Sequence, residues 1–201
     1  MKSLLLTGAT GFVGQRLLHS LEEKDKRIKV RLISRRLHKK HETVIRDLQT
    51  DSITSDVLRG VDTVFHLAGN AHVMQESSNI DNLYRSLNVT ATVRLAELAV
   101  ERGIKRFVFV SSVKAGGNDE FDEGCQPKGV YGQTKREAEL KILEIGRQSG
   151  MHISIVRPCL VYGDGVKGNL ALMFKGIEQG WFPPLPETNN RRSLIHVDDL
   201  V

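Results

Sequence analysis

The stretch SLLLTGATGFVG, residues 3–14, constrains the fold more than any other part of the chain. A short apolar run of strand length leads directly into glycines at 8, 11 and 14, and a helix-period segment, Val13–Glu23, follows. Gly8 allows a tight turn, Gly11 lets a pyrophosphate approach the backbone, and Gly14 lets helix and strand pack closely. The helix N-terminus then offers unpaired N–H groups and a partial positive charge to an anion. A glycine-rich turn alone would mean little. Flanked by a strand and a helix, it predicts dinucleotide binding through Gly8, Thr10, Gly11, Phe12, Val13 and Gly14.

The same alternation continues. Short apolar runs at Ser3–Thr7, Lys29–Ile33, Thr43–Ile45, Thr63–Leu67, Phe107–Ser111 and Ile153–Arg157 read as strands. Helical patterns lie between them at Val13–Glu23, Ser52–Arg59, Leu83–Arg102 and Tyr131–Gln148. Strand, helix, strand in repetition predicts right-handed crossovers and a parallel sheet covered on both faces. The expected class is α/β, a doubly wound Rossmann fold over residues 1–160. After Pro158 no βα rhythm is evident, and residues 161–201 read as the start of a small substrate-binding part, truncated at Val201.

The charge balance is local. The net charge is +5, yet residues 24–46 alone carry +8 and the remaining 178 residues sum to −3. A nucleic-acid binder would spread its basicity over a face, so no nucleic-acid partner is expected. The apolar run after Lys2 is too short for a secretory signal, and no stretch could span a bilayer. Cys125 and Cys159 have no metal-type spacing, so neither a metal site nor a disulfide framework is expected, and the chain reads as soluble and cytoplasmic.

Tyr131 and Lys135 are four residues apart and share a helix face. A tyrosine with a pKa near ~10 is a poor base at neutral pH. An ammonium one turn away favours the phenolate, so Tyr131 is expected with a lowered pKa and an acid/base role. Such a pair is common on surface helices. It gains weight here from the dinucleotide loop and the strand FVFVSS.

The second strand, KVRLI, ends at Ser34-Arg35-Arg36 with no carboxylate. An acid there would bind the adenosine ribose 2′-hydroxyl and repel a 2′-phosphate, whereas arginine accommodates that phosphate. The cofactor is therefore expected to be NAD or NADP, with NADP favoured through Arg35 and Arg36. Lys39 and Lys40 read as ordinary surface.

With these segments in place, the chain resembles the extended short-chain dehydrogenase/reductase family, in particular the nucleoside-diphosphate-sugar epimerases of UDP-glucose 4-epimerase type. The likeness runs through TGATGFVG, VDTVFHLAG, NVTATVRLAELA, FVFVSS, VYGQTK, RPCLVYGDG and RRSLIHVDDLV, in family order. It implies a catalytic Ser112, placed four residues before a family Tyr-Gly pair that is here Gly116-Gly117, together with Tyr131 and Lys135. It also implies that Leu67, Ala68 and Gly69 line the cofactor and that Asp47 and Leu48 meet the adenine. Asn88 should order the central helix, and His66 is read as a structural strand-end residue. Asn169 and Arg192 match positions that hold the substrate diphosphate. The family's dehydratases carry Asp-Glu directly after the active hydroxyl residue. Val113-Lys114 stands there in this chain, which argues against dehydration.

The resemblance implies C4 epimerisation of a nucleotide sugar, most simply a UDP-sugar, in a homodimer formed through the segments Leu83–Arg102 and Tyr131–Gln148. An NADPH-dependent 4-keto-sugar reductase would use the same residues. A non-catalytic cofactor-binding module would need neither Ser112, Tyr131 nor Lys135.

Overall fold

The computed structural model describes residues 2–70, 80–116, 127, 129–183 and 191–201. Its main sheet contains β1 (Ser3–Thr7), β2 (Lys29–Ser34), β3 (Glu42–Ile45), β4 (Thr63–His66), β5 (Arg106–Val110) and β6 (His152–Val156). All pair in parallel, in the order β3-β2-β1-β4-β5-β6. The strands sit where the apolar runs predicted them, with ends shifted by a residue.

Helix α1 (Phe12–Lys24) covers one face, where Leu17 and Leu18 pack with Leu6, Val30 and Leu32. The other face carries α3 (Thr92–Glu101) and α4 (Gly129–Ser149), which bury Leu95, Leu98, Ala138 and Ile142 against Leu5, Val64, Phe107 and Phe109. Alternate residues of β1 thus feed two cores, which is why the strand is apolar throughout. Each fully buried Leu or Phe contributes about 1.5–3 kcal/mol.

The strand order reverses at β1, between β2 and β4, which opens a crevice at the carboxyl ends of β1 and β4. In this register Thr7 lies beside both Ile33 and His66.

Two expected helices differ. Ser52–Arg59 forms only a 3-10 turn at Ser55–Leu58, bounded by an extended Thr54 and by Gly60 at φ 73. Its Ser, Thr and Asp side chains offer the backbone competing partners. Leu83–Arg102 is interrupted: α2 (Ile80–Arg85) passes into a π-helical turn over Ser86–Ala91 before α3 begins.

A βα rhythm does exist beyond Pro158, contrary to expectation. β7 (Leu160–Tyr162) pairs in parallel with β8 (Leu194–His196) as a second, small sheet. α5 (Asn169–Glu178) and α6 (Val197–Leu200) accompany it. Arg16 on α1 grips Asp198 with both its Nε and its Nη2, the latter at 2.7 Å, tying α6 to the glycine-loop helix. Among the described residues no helix is long and apolar enough to cross a membrane.

Candidate active site

Gly8 adopts φ +74, a left-handed conformation that favours glycine, and a Cβ there would stand 2.7 Å from the Ala68 amide nitrogen. The β1 loop and the end of β4 therefore touch backbone to backbone. A Cβ on Gly14 would run into the Gly8 carbonyl. Gly11 is the N-cap of α1, and no side chain caps it. The first-turn N–H groups of Phe12, Val13 and Gly14 are thus left for a ligand anion. This cradle fits a dinucleotide pyrophosphate, and Thr10 and Gly11 form its rim.

Polar groups link this loop to the opposite wall. Thr7 Oγ1 accepts a hydrogen bond from the Ala68 N–H (3.1 Å) and donates to His66 Nδ1 (2.7 Å). His66 Nε2 donates to Thr92 Oγ1 (2.9 Å), whose hydroxyl donates to the Asn88 carbonyl (2.9 Å). Only the neutral Nε2–H tautomer uses every donor along this chain. Burial, and then the nearby Lys135 charge, push the His66 pKa down to about 3. His66 is a structural coupler.

Asn88, fully buried in the π-helical turn, continues the network. Its Oδ1 accepts from the Asn70 N–H at 2.9 Å, and its Nδ2 donates to the Asn70 carbonyl and to Thr134 Oγ1, both at 3.2 Å. The Thr134 hydroxyl in turn donates to the Tyr131 carbonyl at 3.0 Å. The widened turn brings this carboxamide to α4, a use often made of π-helical turns near functional sites.

Tyr131, Thr134 and Lys135 lie on the first turns of α4. The Ser112 hydroxyl lies close enough to the Tyr131 hydroxyl to counter part of the burial that raises its pKa, and the Tyr131 ring stands 6.2 Å from that of Tyr84. Lys135 Nζ donates to the Val110 carbonyl at 2.9 Å and lies 4.5 Å from the Phe109 ring centroid. A Cβ on Gly69 would come within 3.1 Å of that ammonium, so the ammonium rests against bare backbone.

The electrostatics correct one expectation. Burial raises the Tyr131 pKa, the Ser112 hydroxyl offsets part of that, and Tyr84 adds to it. Lys135 adds no lowering, contrary to expectation, since its ammonium is turned to Val110. Lys135 itself is pushed down to about 8 by burial, with the Glu139 carboxylate opposing the shift. Ser111 is also buried, and its Oγ has no hydrogen-bond partner among the described residues.

Glu139 gave no sign in the sequence beyond lying one turn after Lys135. It is fully buried, and Arg157 grips it through Nε–Oε1 at 2.9 Å and Nη2–Oε2 at 2.6 Å. Arg136 adds a contact at 3.4 Å. The signal that could have revealed it is a carboxylate on the apolar stripe of an otherwise amphipathic helix.

The remaining expected site residues lie around this centre. Arg35 and Arg36 follow β2, are exposed, and make no ion pair among the described residues. The Arg36 N–H donates to Ser34 Oγ at 3.3 Å. Asp47 Oδ1 accepts from the Gln49 N–H at 3.0 Å, fixing the turn that carries Leu48, which packs against the core. Leu67 and Ala68 continue from β4 beside Gly8. Asn169 opens α5 and Arg192 precedes β8; both are exposed, and neither hydrogen-bonds to Ser112, Tyr131 or Lys135 among the described residues. Among the described residues no group of three or more His, Cys, Asp or Glu is placed to hold a metal ion.

Comparison with known proteins agrees with this geometry. UDP-glucose 4-epimerase of Vibrio cholerae is 36% identical over 214 aligned residues, covering 100% of this chain and 64% of the relative. The chain thus spans somewhat under two thirds of that relative's length. The N-acetyl-alpha-D-glucosaminyl-diphospho-ditrans,octacis-undecaprenol 4-epimerase of Escherichia coli O157:H7 is 30% identical, covering 99% of this chain and 61% of the relative. Among solved structures, MoeE5 in complex with UDP-glucose and NAD superposes with a TM-score of 0.80 at 28% identity, over 98% of this chain and 69% of that one. MoeE5 is also solved with UDP-glucuronic acid and NAD. The family described as NAD dependent epimerase/dehydratase matches residues 4–201. That match runs from the first strand to the last residue, and the chain belongs to the NAD dependent epimerase/dehydratase family.

Proposed function

We propose that this protein epimerises a nucleotide-linked sugar at C4 through a 4-keto intermediate, using a bound nicotinamide dinucleotide. The observation that carries this reading is the juxtaposition of Ser112 and Tyr131, with Lys135 one turn on, beside the Gly8–Gly14 cradle. The 4-epimerases among the relatives support the choice of carbon.

When bound, the dinucleotide would supply a hydride acceptor and donor. Tyr131 removes the proton of the C4 hydroxyl as hydride leaves that carbon. Ser112 holds the same oxygen and stabilises the ketone that forms. Once the keto sugar presents its other face, Tyr131 would give the proton back to the C4 oxygen. Atoms and charge balance over the cycle, so no external oxidant is consumed. Lys135 keeps ammonium hydrogens beyond the Val110 bond for the ribose hydroxyls, and its charge favours the phenolate once a ligand draws it toward Tyr131. Asn169 and Arg192 are assigned to the substrate diphosphate, and Asp47 and Leu48 to the adenine.

Relatives solved with NAD support NAD as cofactor. Ser34, Arg35 and Arg36 support NADP, because nothing at the end of β2 repels a 2′-phosphate and two exposed guanidiniums follow it. That feature favours a second reading, an NADPH-dependent reduction of a 4-keto sugar by the same Ser112, Tyr131 and Lys135. We further assign a homodimer built on α3 and α4, since Leu140 and Leu143 lie exposed on the outer side of α4.

The test is turnover of UDP-glucose to UDP-galactose by the purified full-length protein with no cofactor added, alongside Tyr131→Phe. The epimerase reading expects turnover in the wild type and its loss, with cofactor still bound, in the variant. Turnover of 4-keto sugars alone, with stoichiometric use of NADPH, replaces it with the reductase reading.

A further inference from the structure

Three cations, Lys135, Arg157 and Lys114, lie on or beside α4 and the Val113–Gly116 turn, and two are committed. Lys135 is buried and bonded to the Val110 carbonyl. Arg157 grips Glu139 with two nitrogens. The third, Lys114, is exposed and pairs with no carboxylate among the described residues, yet its Nζ stands 5.9 Å from the Tyr131 ring centroid.

Its backbone is held against both catalytic hydroxyl residues. The Lys114 N–H donates to Ser112 Oγ at 3.3 Å. Helix α4 presses on it from the other side, since a Cβ on Gly132, next to Tyr131, would stand 2.5 Å from the Lys114 carbonyl oxygen. The 3-10 turn Val113–Gly116 fixes the stem, and only the flexible side chain reaches over the phenol. A lysine so placed faces whatever Tyr131 works on.

We propose that Lys114 is a specificity-determining residue that recognises a carboxylate on the sugar, so that the preferred substrate is a nucleotide-linked hexuronic acid rather than a neutral hexose. This rests on the C4 reading above. With C4 at Tyr131, C1 and its diphosphate lie across the pyranose ring, out of reach of an ammonium beside the phenol. The substituent nearest C4 that can carry charge is C6, on C5. A C6 carboxylate there gives Lys114 a charge-assisted hydrogen bond, whereas a C6 hydroxymethyl group leaves the ammonium with only a neutral partner. Lys114 binds and transfers no proton, so the proton exchanged between the C4 hydroxyl and Tyr131 is unaffected.

The experiment compares kcat/KM for UDP-glucuronic acid and UDP-glucose in the wild type, Lys114→Met and Lys114→Arg. The wild type should favour the uronate. The uronate-to-hexose ratio should fall by about 10- to 100-fold in Lys114→Met, the range a single charge-assisted bond supplies. Lys114→Arg, which keeps the charge, should retain the ratio within about three-fold. An unchanged ratio in Lys114→Met overturns the proposal. That result would follow if Lys114 serves Tyr131 alone, or if the acidic residues Asp119, Glu120, Asp122 and Glu123 that follow it in sequence neutralise it. If neither sugar turns over, the C4 reading fails by itself, and calorimetric binding of the two nucleotides to the cofactor-loaded protein judges Lys114. Tighter uronate binding that disappears in Lys114→Met sustains the proposal, and equal affinities sink it.

Discussion

Replacing Glu139 by Gln keeps the shape of the side chain and removes its charge. Arg157 would then face a neutral amide at 2.6–2.9 Å, and Arg136 would lose its contact at 3.4 Å. Removing one partner of a fully buried pair costs about 3–5 kcal/mol. The Arg157 side chain is 31% exposed, so water recovers part of that interaction, and we expect a loss of about 2–3 kcal/mol. For a chain of this size that corresponds to a fall in Tm of about 5–10 °C, measurable by calorimetry with urea titration as a check. The double variant with Arg157→Met should recover part of the loss, giving a coupling of at least about 1 kcal/mol. Glu139 is also the charge that opposes the burial of the Lys135 ammonium. In Glu139→Gln, Lys135 should therefore lose its proton at a lower pH than in the wild type. A Tm within about 2 °C of wild type, or strictly additive variants, would refute the idea that this pair anchors α4.

Two further outcomes concern Lys135 and Arg35. The Lys135 pKa lies at about 8, below its ordinary value, so its ammonium is present below that pH and is lost above it. Dinucleotide affinity measured by fluorescence titration should therefore fall as pH rises through about 8 and stay level in Lys135→Arg; a level wild-type profile from pH 7 to 9.5 would contradict it. Arg35→Asp should move the NADP-to-NAD preference toward NAD by about ten-fold or more, read from the Kd of each, and equal changes for both would make the run after β2 a solvated loop.

The main sheet was legible because each strand is a short apolar run closed by a glycine or polar turn, and both faces are covered. β1 is the clearest case, since Leu4, Leu5 and Leu6 leave no polar face to guess about. The second sheet was not legible. β7 and β8 have three residues each, and Leu160 finds Leu194 only across a long separation in sequence. The continuous periodicity of Leu83–Arg102 concealed the π-helical turn, because one extra residue per turn barely disturbs the apolar pattern while it redirects Asn88. At the site, the residue types and the spacing of Tyr131 and Lys135 could be read directly. Their protonation could not, because it depends on burial and on where the ammonium points. The same holds for Thr7, His66 and Thr92, which come from three elements and meet only through sheet register and helix packing.

The most direct measurement follows a deuterium at C4 of the substrate. The full-length protein is incubated with UDP-glucose or UDP-glucuronic acid deuterated at C4, and the epimer is isolated. Hydride transfer within one active site, with Tyr131 moving only the hydroxyl proton, predicts that the label stays on C4 in the product and that Tyr131→Phe forms no product. Loss of deuterium to solvent, or full turnover by Tyr131→Phe, would contradict the account.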